Sequence, residues 1–99
     1  MNNFFRKVLS EVKSEREKQD LKWGVQDHDP LKWNAILGEE FGEVSKSILE
    51  DDSYNYRQEL IQVAAVAIAA VECHDRRIEE AHDLKDKYLN DNKLGFLPG

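Results

Sequence analysis

The pattern of this 99-residue chain predicts an all-α fold, a helical bundle with three main helices per chain that is completed by oligomerisation. Three observations predict it. Apolar residues recur at spacings of three and four, and no stretch shows the alternation of a half-buried strand. Asn2 or Asn3, Asp29, and the polar turn Glu50-Asp51-Asp52-Ser53 stand where helices should begin or end. The run from Val63 to Val71 is apolar on every side, and so short a chain covers both sides of it only with a second subunit.

The whole chain, 1–99, reads as one domain. A first helix is expected over about 3–20: Phe5, Val8, Leu9 and Val12 form its apolar face, and Lys7, Glu11, Lys13, Glu15 and Lys18 its opposite face. A loop over 21–29 is punctuated by Gly24. Asp29 then caps a helix that has Pro30 at its first position, where a missing N–H costs nothing. The core helices are expected over about 30–49 and 54–88. An extended tail over 90–99 has Leu94, Phe96 and Leu97 available to dock.

With 40% hydrophobic and 34% charged residues, the chain has the composition of a folded soluble domain rather than a disordered one. Its net charge of −6 argues against non-specific binding to nucleic acid or to an anionic membrane, since both need a basic surface. The longest apolar run is about half of what a membrane span requires. Cys73 is the single cysteine, so no intrachain disulfide can form, and a cytoplasmic location is expected.

Chemistry enters through glutamates on the wrong face. At about 100° per residue, Trp33, Ile36, Leu37, Phe41, Val44 and Ile48 form one stripe of the second helix. Glu40 falls inside that stripe, Glu43 at its edge, and Glu39 beside Glu43. On the third helix Glu59 shares its line with Val63, Val66 and Ala70, and Gln62 lies close by. Buried carboxylates cost several kcal/mol each unless something compensates. A hard divalent cation would compensate here, since Mg²⁺ and Mn²⁺ prefer carboxylate oxygens and water. Ligands one turn apart on one helix, facing a ligand on another, suit such a site in a helical bundle. The plainer alternative is that each glutamate is a surface residue paired with a neighbour such as Lys46 or Arg57.

The same residues carry a family pattern. ILGEEFGEVSKSILE followed by YRQELIQVAAVAIAAVE resembles the MazG-like all-α nucleoside triphosphate pyrophosphohydrolases, whose signature is EExxE on one helix and ExxD on the next. EREKQDLKWGVQDHDPLKW looks like the N-terminal part of a small bacterial and phage branch, and the resemblance spans roughly residues 15–75. Glu39-Glu40-Phe41-Gly42-Glu43 completes the first half. In the second half Glu59 is present, but Gln62 stands at the aspartate position, with a neutral carbonyl oxygen in place of a charge.

The resemblance implies Mg²⁺-dependent hydrolysis of a nucleoside triphosphate to monophosphate and pyrophosphate; the apolar run Val63 to Val71 is what predicts a homodimer or homotetramer. Glu40, Glu43, Glu59 and Gln62 would hold the Mg²⁺ (or Mn²⁺), and Glu39 would hold or deprotonate the attacking water. Lys46, Arg16, Lys22 and Arg57 would contact the phosphates. Trp23 and Trp33 would stack on the base, whose edge Gln19, His28 and Asn34 would read. The non-catalytic alternative is a helical interaction protein whose metal site has decayed. A di-iron bundle built on Glu79-x-x-His82 lacks a second copy of that motif.

Overall fold

The computed structural model describes residues 2–95, with side chains to Leu89. It contains three α-helices, α1 (Asn3–Trp23), α2 (Pro30–Leu49) and α3 (Ser53–Gly95), and no strand among the described residues. The helix starts follow from their caps. The Asn2 side chain accepts the Phe5 N–H at 2.7 Å, and that of Asp29 accepts the Lys32 N–H at 2.8 Å. Asp52 does the same for the Asn55 N–H at 3.0 Å, so α3 starts at Ser53.

α1 is three residues longer than expected and takes Trp23 out of the loop. It stops at Gly24, whose φ of +76° is reached without strain only by glycine. α2 ends with Asp51 in the left-handed region at φ 54°, while the Asp52 N–H reaches back to the Ser47 carbonyl at 3.0 Å. α3 runs on past Tyr88 to Gly95 because no glycine or proline interrupts it earlier, which corrects the tail expected to be extended from residue 90. Residues 96–99 and the side chain of Leu94 lie outside the described part, and with them the suggested docking of Leu94, Phe96 and Leu97.

α3 is the spine. α1 and α2 each pack on α3 and not on one another. Two separate apolar clusters result. On one flank Val12 meets Ile61 and Ala65. On the other, Trp33, Val66 and Cys73 pack together with Ile36, Leu37, Ala69 and Ala70 around them. Cys73 is 1% exposed, the small buried residue its isolation in the sequence suggests.

Two apolar stripes are narrower than the sequence implied. Phe5, Val8 and Leu9 stay exposed, so α1 is held mainly through Val12. Phe41 and Ile48 are 63% and 61% exposed, because α2 is rolled so that Trp33, Glu40, Val44 and Ser47 face inward instead. Ser47 tolerates its burial by hydrogen bonding. Its hydroxyl donates to the Glu43 carbonyl at 2.9 Å and accepts the Asn55 side-chain N–H at 3.1 Å, tying α2 to α3 beside the turn. The apolar run of α3 is not covered all round by the described residues, with Ile68 42% and Val71 59% exposed.

Candidate active site

Because α1 and α2 both lean on α3 without touching, a trough opens between them. It has a volume of about 610 Å³. Val66, Ala69 and Gln62 of α3 form its floor, together with Trp33 and Ile36 of α2. Residues of α1 from Glu15 to Trp23 form one wall, and Lys32 and Glu40 of α2 stand on the other. The segment Gly24 to His28 closes one end.

That closure is built by side chains of α3. Arg76 donates to the Gln26 carbonyl and to the Asp27 carboxylate, both at 3.0 Å. The Cys73 thiol lies 3.4 Å from the His28 carbonyl oxygen. The Arg76 guanidinium holds the Asp27 carboxyl below its usual range. His28 is thereby set edge-on against Trp33, with ring centroids 5.0 Å apart. Trp33 is 6% exposed, and its indole N–H has no partner among the described groups.

Glu40 is the electrostatic centre. It is half-buried on the trough wall, and its carboxyl is pushed above the usual range. Burial is the first cause, followed by the charges of Glu59, Glu39, Glu43 and Glu15. Four carboxylates from three helices therefore crowd a fifth. Glu59 is half-buried as well, whereas Glu39 and Glu43 are exposed, and all three lie outside the trough lining. Among the described residues, no three His, Cys, Asp or Glu side chains converge closely enough to hold one metal ion between them. The donor set fits a hard cation in charge and chemistry, and holding one requires its side chains to draw together.

Gln62 lines the trough, but its carbonyl oxygen accepts a long 3.4 Å hydrogen bond from the Gln19 amide, joining α1 to α3. Trp23, Lys22, Gln19 and His28 also line the trough, and the Lys22 ammonium sits 4.8 Å over the Trp23 ring. The other candidates are not assembled there. Arg16 reaches the lining, yet its guanidinium is tied to Asp20 and Glu72, both at 2.8 Å. Arg57 is bound by both oxygens of Glu11. Lys46 points to Glu50 at 4.0 Å, and Asn34 is exposed outside the lining.

Beyond the predicted site residues, Glu15 and Lys18, read as the polar face of α1, and Asp20, Lys32 and Arg76 also line the trough. The signal was there for Glu15. It lies one turn beyond Val12 and one turn before Gln19, on the line that faces α3.

Comparison of the chain with models of known protein families, with curated proteins and with solved structures gives no match.

Proposed function

We propose that the chain is a divalent-metal-dependent nucleoside triphosphate pyrophosphohydrolase of MazG-like type. One observation carries the reading: Glu40, half-buried at an aromatic-lined trough, has its carboxyl raised by burial and by four neighbouring glutamates. So crowded a carboxylate is unfavourable for a bare chain and favourable once a cation enters. Glu40, Glu43 and Glu59 would hold Mg²⁺ or Mn²⁺, which would offset the charge of the phosphates when bound. Gln62 is better suited to positioning, since its oxygen already accepts from Gln19.

In this reading the apolar floor of Trp33, Ile36, Val66 and Ala69 takes the base, and Gln19 and His28 offer hydrogen bonds to its edge. Glu39, exposed beside the cluster, takes a proton from the attacking water. The new P–O bond forms at the α-phosphorus as the anhydride bond to the β-phosphate breaks, so nucleoside monophosphate and pyrophosphate leave. Because the chain leaves apolar faces of α2 and α3 uncovered, the working form is a homo-oligomer, and the free thiol of Cys73 suits a cytoplasmic location.

Pyrophosphate release from a panel of ribo- and deoxyribonucleoside triphosphates, with and without Mg²⁺, tests the proposal. Release by the wild-type chain and a loss of at least about a hundredfold in Glu43→Ala are expected. Equal release by both proteins would rule out this site. A second reading, a non-catalytic helical interaction protein, is favoured by the absence of a preformed three-ligand set among the described residues. It predicts no release at all and no effect of Mg²⁺ on the melting temperature.

A further inference from the structure

Five cations line the trough, and they fall into two groups. Arg16 is tied to Asp20 and Glu72, and Arg76 to Asp27. Lys18, Lys22 and Lys32 form no ion pair with any described residue. Lys18 and Lys22 stand one turn apart on the α1 wall, and Lys32 stands on α2 in its first turn. Since α1 and α2 do not pack on each other, these ammonium groups flank the opening from both sides. All three are exposed, whereas Trp33 and Val66 beneath them are buried, so the trough has a cationic rim over an apolar floor. In a chain of net charge −6, three lysines without an ion-pair partner gathered around one cavity offset the carboxylates of Glu15 and Glu40 in the same lining.

We infer that Lys18, Lys22 and Lys32 form a polyphosphate subsite. It holds the charged tail of a ligand whose apolar part lies on the floor, and under the proposed function that tail is the two-phosphate leaving group. The inference rests on that reading for the identity of the ligand, but the anion chemistry can be tested apart from it. An anion between the two walls meets ammonium groups from both, whereas Lys46 and Arg57, the cations nearest the glutamates in sequence, point elsewhere to Glu50 and Glu11. The subsite also has a structural consequence for the reaction. Glu15 on the α1 wall and Glu40 on the α2 wall line the same trough, so the tail would lie between the walls that carry these carboxylates.

The probe is inorganic pyrophosphate, titrated calorimetrically into the full chain at low salt with EDTA present, so that no cation bridges it to the glutamates. The triple variant Lys18→Gln/Lys22→Gln/Lys32→Gln is compared with Lys7→Gln/Lys13→Gln/Lys85→Gln, which changes net charge equally but lies off the trough. Circular dichroism checks that each variant stays helical. Binding by wild type, an affinity loss of about tenfold or more in the first variant, and little change in the second are expected. Arginine at the three rim positions should restore binding. No binding by wild type, or equal losses in both triple variants, would overturn the subsite.

The outcomes also separate the subsite from the enzyme. Pyrophosphate binding lost only in the rim variant, with no triphosphate hydrolysed by wild type, keeps the subsite and removes the hydrolase reading. Hydrolysis with unchanged KM and unchanged pyrophosphate binding in the rim variant does the reverse.

Discussion

Glu40 shows how a single side chain can be unfavourable for the fold and useful for the site. Its raised carboxyl means that the folded chain holds the proton more tightly than the unfolded chain does. Stability attached to this group is therefore full at low pH and is lost as pH rises through its folded value. Glu40→Gln removes the charge while keeping the shape. Without metal at neutral pH the variant should be more stable than wild type, by on the order of 0.5 kcal/mol because solvent screens a half-exposed group. Thermal unfolding followed by circular dichroism should show that advantage shrinking on acidification. Stabilisation by added Mg²⁺ should be present in wild type and absent in the variant. An advantage that does not change with pH would mean that Glu40 is not the strained group.

At the level of elements, the turn between α2 and α3 sets the geometry of the glutamates, since it fixes how Glu40 and Glu43 face Glu59. It is held by the Ser47–Asn55 hydrogen bond and by Asp51 at φ 54°. An L-residue in that conformation is strained, and glycine relieves the strain at the expense of a freer unfolded chain. Asp51→Gly should raise stability by about 0.5 kcal/mol, read as a higher melting temperature with unchanged helix content. The loop 24–29 is organised differently, from outside. Arg76 and Cys73 on α3 grip its backbone and so place His28 against Trp33. Nothing in the loop's own residues announces that partner.

The whole molecule is elongated, 69 × 31 × 23 Å, because α3 outruns its two partners. Its accessible surface is 7861 Å², against about 5800 Å² expected for a compact monomer of 11.5 kDa. Leu60, Ile68 and Val71 share a side of α3, and Phe41 and Ile48 lie two turns apart on α2; all five are exposed. Faces of this kind suit self-association. Sedimentation at micromolar concentration should give a dimer or tetramer for wild type and a monomer for Ile68→Glu/Val71→Glu. A wild-type monomer would refute the proposed assembly.

Much of this was legible in the residues. Caps, glycine and proline are local devices, so α2 came out at its observed bounds and α1 within three residues. The inward position of Glu40 was legible too, since periodicity alone puts it on the buried line. What periodicity cannot provide is which part of an apolar stripe another helix covers. That depends on how α1 and α2 seat on α3, and the seating left Phe41, Ile48, Phe5, Val8 and Leu9 exposed. The trough has the same origin. It exists because two helices share a third without meeting, and that arrangement alone brought Glu15, Lys18 and Lys32 to the site. It also drew Arg57 to Glu11 on α1, a carboxylate near in space though 46 positions away in sequence, whereas Lys46 pairs locally with Glu50 one turn on along its own helix.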